Sequence, residues 1–226
     1  MRAPRMRVAV FGTSNAGRLL AVEMRTAGHT VEALSDLSEL GNYQALIVAV
    51  GDARLAQAVD LLEGYVHKGL IVFHTCLSRG VQVLDPLETK GCVVAAVAPY
   101  SAERWAVTTV DELGETVAEL VLGEAQFTAA SFSDIERPAL AARVYYAQML
   151  TLLAVDANAD VFGDGADVTA AHGDVLTALE SSEVIAAFRS LEEPGMRRAY
   201  LEATRRMGEV YHREELEMWA LQEETR

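Results

Sequence analysis

The 226 residues are 51% hydrophobic and 23% charged, with two cysteines and a net charge of −14. That apolar content fills a core and excludes disordered, collagen-like and disulfide-stapled chains. Residues 1–110 carry ten basic and ten acidic side chains, whereas residues 111–226 carry nine and 23, so neither half offers the basic face that a nucleic-acid binder needs.

The chain opens on a basic segment, Met1 to Arg7, followed by a strand rather than by a cleavable apolar stretch. Together with a count of only two cysteines, Cys76 and Cys92, this predicts a reduced, cytoplasmic protein. Short β-branched runs then alternate with helical stretches, the pattern of a parallel α/β sheet. Strands are expected at Arg7–Phe11, Thr30–Leu34, Ala45–Val50, Leu70–His74, Val93–Val97 and Trp105–Thr108, with an edge strand at Ala125–Ala129. Helices fit between them at Ala16–Ala27, Arg54–Val66, Val81–Thr89 and Val110–Leu122.

From Ser133 the character changes. Ser133, Asp134, Glu136 and Pro138 form a helix start, with a polar cap, early acid and proline in the first turn. This helix is expected to run to Phe162, before Gly163 and Gly165. Its apolar tract, Ala139–Val155, is 17 residues long and interrupted by Arg143 and Gln148, which is short for a bilayer span. No membrane partner is expected. Two further helices are expected at Asp167–Leu191 and Gly195–Glu224. Met196, Tyr200, Thr204, Met207 and Tyr211 share one face of the last, as core or as a dimer seam. The expected organisation is a doubly wound, mostly parallel Rossmann-type α/β domain over residues 1–132 and a small all-helical domain over residues 133–226.

The first strand runs into Gly12-Thr13-Ser14-Asn15-Ala16-Gly17, and a helix follows. Strand, tight turn and helix make up a dinucleotide site: Gly12 permits the turn, Gly17 permits helix-on-strand packing, and helix-start amides face a pyrophosphate. Ser14 stands where the usual motif has its middle glycine. Any α/β turn favours glycine, so a purely structural turn remains the alternative. Asp36, nineteen residues after Gly17, ends the second strand, where a carboxylate bonds the adenosine ribose and repels the 2′-phosphate of NADP. Its other reading is the start of a polar turn. The third strand ends in Val50-Gly51-Asp52, where backbone lies under a cofactor.

These segments resemble the 6-phosphogluconate-dehydrogenase-like Rossmann superfamily, which includes pyrroline-5-carboxylate reductases, β-hydroxyacid dehydrogenases and ketopantoate reductases. Nearest are bacterial Rossmann-like oxidoreductases of unassigned substrate. The matching pieces are Gly12 to Gly17, Val48 to Asp52, Ile71 to Thr75 with Gly80 and Val83 to Pro86, Trp105 to Gly114, and Arg143 to Tyr145. The resemblance implies NAD(P) binding, hydride transfer and dimerisation through the helical domain. It also has departures. His74-Thr75-Cys76-Leu77 stands for His-Thr-Ser-Gly, and Ala98-Pro99 for His-Pro. The catalytic lysine of β-hydroxyacid dehydrogenases is missing from the long helix, since Lys68 and Lys90 both lie in the first half.

His74 ends a strand at the carboxyl edge of the sheet, as a proton donor to substrate or as a satisfied structural histidine. Tyr145 and Tyr146 lie on the long helix; adjacent helical residues point about 100° apart, so at most one faces a cleft and packing is the other role. Cys76 reads as a small buried residue. His172, His212 and the acids lack metal-ligand spacing, so no metal is expected. The sequence thus predicts an NAD- or NADP-dependent oxidoreductase, with Asp36 favouring NAD. A homodimer, it would act on a small carbonyl, hydroxy-acid or imine. A nucleotide-binding Rossmann protein with little or no catalysis is the alternative.

Overall fold

The computed structural model describes residues 5–162 and 179–225, and the chain divides into two compact units, Met1–Arg137 and Pro138–Arg226. In the first unit seven strands form one sheet: β1 (Arg7–Gly12), β2 (Thr30–Ala33), β3 (Ala45–Ala49), β4 (Ile71–His74), β5 (Val93–Pro99), β6 (Arg104–Thr109) and β7 (Thr128–Ser131). Their order is β2-β1-β3-β4-β5-β6-β7, parallel throughout except between β5 and β6.

Every residue of β3 is buried, so both faces of the sheet need cover. On one face α1 (Asn15–Thr26) and α4 (Glu112–Glu124) bring Leu20, Met24, Ala118 and Val121 onto Val8, Val10, Ile47 and Phe73. On the other, α2 (Asp52–Leu62) and the single turn α3 (Asp85–Glu88) bring Leu55, Val59, Leu62 and Leu87 onto Ala9, Leu46, Val48 and Val72. Strand alternation sorts the two sets. Because α1 and α2 leave β1 and β3 on opposite faces, the winding reverses between those two adjacent strands. In a doubly wound sheet ligands bind beyond the carboxyl ends at that point. The expected fold class is therefore the observed one.

Several boundaries differ. The edge strand lies at Thr128–Ser131 rather than Ala125–Ala129, because α4 runs to Glu124 and Gln126 turns the chain at φ +63°. The helix expected at Val81–Thr89 is a 3-10 turn (Val81–Leu84) followed by α3, which takes Pro86 in its first turn.

The second unit contains α5 (Arg137–Phe162), which opens on the last residue of the first unit, then α6 (Ser181–Phe188), α7 (Pro194–Val210) and α8 (Glu214–Glu224). The helix start expected at Asp167 lies outside the described residues. The single helix expected over Gly195–Glu224 is two helices. His212 takes φ +53° between them, and a Cβ on Gly208 would stand 2.7 Å from the Glu217 nitrogen, so α8 folds back tightly on α7. Tyr200, Thr204 and Met207 are buried on the α7 face expected to pack, and Phe188 of α6 meets Trp219 edge to face at 5.3 Å. Over Arg137–Asn158, α5 is longer than the apolar tract suggested and has the length and composition to cross a bilayer. Its Ala141, Ala142, Tyr145 and Met149 are buried, within a stretch of which a third is buried.

Candidate dinucleotide site

β1 ends in Gly12 at φ +102°, a conformation that favours glycine, and a Cβ there would stand 2.2 Å from the Ala49 carbonyl oxygen. The Ser14 amide donates to that same oxygen at 2.8 Å. A Cβ on Gly17 would stand 2.2 Å from the Ala49 side chain. Both glycines thus let the turn and α1 settle on the end of β3. Ser14 caps α1, its Oγ accepting from the Gly17 amide at 3.2 Å, and its hydroxyl lies 3.1 Å from Thr75 Oγ1. At the middle position of the motif, then, a hydroxyl satisfies one helix-start amide and ties the turn to the residue after β4. Gly12 and Thr13 are exposed, and Asn15 and Ala16 open α1, where backbone amides and the helix dipole favour an anion.

Asp36 is exposed just beyond β2 and caps a 3-10 turn over Leu37–Asn42. One of its carboxylate oxygens accepts from the Ser38 amide at 2.9 Å and from the Ser38 hydroxyl at 2.8 Å. These bonds hold its pKa below the ordinary carboxylate value. Beyond β3, buried Val50 leads to Gly51, the cap of α2, and Asp52 opens that helix with its carboxylate accepting from the Ser78 hydroxyl.

His74 is fully buried. Its Nε2–H donates to the Gly80 carbonyl at 2.9 Å, and its Nδ1 accepts from the Cys76 amide at 3.3 Å. Both contacts fit one neutral tautomer. Burial, followed by the nearby Arg137 charge, pushes its pKa down to about 3. Its two nitrogens close the 74–80 loop into a ring. The Cys76 thiol, also buried, donates to the Val50 carbonyl at 3.2 Å.

Sequence reading missed Arg137 and Asp134. Arg137 is fully buried, and burial lowers its pKa to about 10, which leaves it charged at neutral pH. One terminal nitrogen donates to Cys76 O at 2.9 Å. The other reaches Thr108 Oγ1 at 3.2 Å and the Ala96 and Ala106 carbonyls at 3.4 Å. Three segments are thereby joined, the loop after β4 and strands β5 and β6. The Asp134 carboxylate accepts from the Val81 and Gln82 amides at 2.8 and 3.1 Å, filling the space where a Gly80 side chain would lie. The overlooked signal was an arginine at the start of a helix, where the dipole disfavours a cation.

Residues 133–223 match the family described as 6-phosphogluconate dehydrogenase C-terminal domain-like, and residues 42–99 match the Rossmann-like domain family. The two matches fall on successive stretches, a Rossmann-like one and, after it, one similar to the 6-phosphogluconate dehydrogenase C-terminal domain. No curated protein matches it by sequence. Among solved structures it is similar to a putative NADP oxidoreductase from Bacteroides fragilis, at 12% identity over 98% of this chain and 99% of that one, with TM-score 0.59. A Plasmodium falciparum pyrroline carboxylate reductase with NADP bound shares 12% identity over 96% of each chain, TM-score 0.56. A prephenate dehydrogenase from A. aeolicus in complex with hydroxyphenyl propionate and NAD+ shares 12% over 98% of this chain and 87% of that one, TM-score 0.52. At such identities the shared property is the fold.

In the helical unit, the two tyrosines of α5 diverge. The Tyr145 hydroxyl donates to the Glu183 carboxylate at 3.1 Å, whereas the Tyr146 ring stacks on Tyr200 at 6.3 Å.

Proposed function

We propose that this protein is an NAD(P)-dependent oxidoreductase that transfers hydride to or from a small carbonyl, hydroxy-acid or imine substrate. The carrying observation is the Gly12–Gly17 turn, which sets the start of α1 beside β3 at the reversal of winding. A bound nicotinamide supplies the hydride. The chain supplies the amides of Asn15 and Ala16 for the pyrophosphate, and the Gly51 backbone beneath it. Asp36, braced by Ser38, offers a fixed acceptor to the ribose, and its charge opposes a 2′-phosphate. This favours NAD over NADP.

His74 is given a positioning role here, because both of its ring nitrogens are engaged inside the loop. Of the expected proton donors, Tyr145 is the one whose hydroxyl is oriented by a carboxylate, that of Glu183. The same reading makes the protein a cytoplasmic homodimer. Thermal-shift titration with NAD(H) and NADP(H), followed by a panel of carbonyls and imines, tests it. Failure of all four nucleotides to stabilise the protein at millimolar concentration overturns it.

The second reading is a nucleotide-binding protein with little or no turnover. It is favoured by the sealed environment of His74 and by the absence of lysine from the helical domain. Nucleotide stabilisation without turnover on any of the panel selects it.

A further inference from the structure

The 74–80 loop is gripped from both ends by one short segment. Arg137 holds the carbonyl of Cys76 at 2.9 Å, and three residues earlier Asp134 holds the amides of Val81 and Gln82. Neither side chain belongs to the expected cofactor contacts. The Arg137 Nε–H has no hydrogen-bond partner, and no carboxylate lies within 4 Å of the guanidinium among the described ion pairs. A buried charge set this way is costly unless the position needs it. Its acceptors are one threonine hydroxyl and three carbonyl oxygens, two from the antiparallel pair β5–β6 and one from the loop.

That loop is joined to the glycine turn. Thr75, next to the carbonyl that Arg137 holds, reaches Ser14 Oγ with its hydroxyl at 3.1 Å. Ser14 Oγ in turn accepts from the Gly17 amide at 3.2 Å. Contacts therefore run without a gap from Arg137 through Cys76 and Thr75 to Ser14 and Gly17. A neutral side chain at 137 removes the first link, and valine at 75 removes the hydroxyl link while keeping the β-branched shape.

We infer that Arg137 and Asp134 are positioning residues that fix the 74–80 loop and, through the Thr75–Ser14 hydroxyl pair, hold the Gly12–Gly17 turn in its nucleotide-binding shape. The inference about binding rests on the proposed dinucleotide reading, whereas the effect on the turn is measurable in the protein alone.

The test uses the full chain, as wild type and as Arg137→Met, Arg137→Lys, Thr75→Val and the Arg137→Met/Thr75→Val double variant. Amide hydrogen exchange is measured without ligand, and NADH affinity by fluorescence titration. Arg137→Met is expected to speed exchange at Cys76 and Gly17, and to weaken NADH about tenfold, from lost hydrogen bonds to a charged donor. Thr75→Val is expected to speed exchange at Gly17 with Cys76 unchanged. The double variant is expected to bind no more weakly than Arg137→Met alone, since both lie on one path. Arg137→Lys, which keeps the charge, recovers part of the loss.

Unchanged exchange at Gly17 in Arg137→Met overturns the inference whatever NADH does. So do losses that add in the double variant, or a lower melting temperature with unchanged affinity. If Arg137→Met does not fold, Arg137→Lys and Thr75→Val decide the question by the same readouts. Wild type that fails to bind NADH removes the dinucleotide reading, and the exchange data then settle the positioning role separately.

Discussion

Gly17 and Ala49 meet so closely that a Cβ on the glycine would lie 2.2 Å from the alanine methyl. Helix α1 can therefore lean on β3 only while position 17 has no side chain. Gly17 is buried, so the neighbours have little room to yield. Gly17→Ala is expected to destabilise the protein by about 1–3 kcal/mol, the usual cost of overpacking. It is also expected to weaken nucleotide binding by shifting the start of α1. Chemical denaturation and NADH titration of the same variant check both, and wild-type values for either would contradict this contact.

Gly17 and its turn were legible because a β-branched strand running into spaced glycines and then a helical period has few other solutions. The alternation of the first half gave the sheet for the same reason. Other features were not legible. The break between α7 and α8 contains no glycine or proline, and it depends on His212 adopting a positive φ that tertiary packing imposes. The grip of Arg137 on Cys76, 61 residues away in sequence, leaves no local pattern at all. His74 was placed correctly at the strand end, but sequence could not tell a sealed ring from an open one. Burial and the Gly80 carbonyl decide that.

Asp36→Ala is expected to shift preference from NAD toward NADP, because it removes a negative charge from the end of β2. The Ser38 bonds hold that carboxylate ionised and in place at neutral pH. The ratio of dissociation constants for the two cofactors measures the shift. An unchanged ratio would leave Asp36 as the cap of its 3-10 turn and nothing more.

The helical unit leaves Leu150, Met218 and Leu221 at 45%, 52% and 38% exposure. Exposed large apolar side chains also stand on the first unit, and those of the helical unit are proposed as the interface between two copies. Sedimentation at micromolar concentration is expected to give a dimer, with about 2,000 Å² or more buried if the association is obligate. A monomer under those conditions would remove this part of the reading.

His74 offers a prediction in which pH separates structure from chemistry. Its pKa is depressed from 6.5 to about 3 in the folded state, so the folded protein keeps the ring neutral while the unfolded chain protonates it near its ordinary value. Above about pH 6.5 neither state carries the proton and stability is unaffected by it. As pH falls below that value the unfolded state takes up a proton that the folded state refuses. Stability then drops by up to about 1.4 kcal/mol per pH unit until the folded ring protonates near pH 3. His74→Gln has no such ionisation, and its amide can still donate toward Gly80. The unfolding free energy of wild type is therefore expected to fall more steeply than that of the variant between pH 6.5 and 4. In turnover, His74→Gln is expected to act on nucleotide affinity with little change in kcat, because a ring sealed at both nitrogens does not exchange a proton with substrate. Tyr145→Phe is expected to lower kcat by roughly 10²–10⁴, the range for loss of a general acid. A kcat loss of that size in His74→Gln, with Tyr145→Phe unaffected, would return the proton to the histidine and require the 74–80 loop to open during turnover.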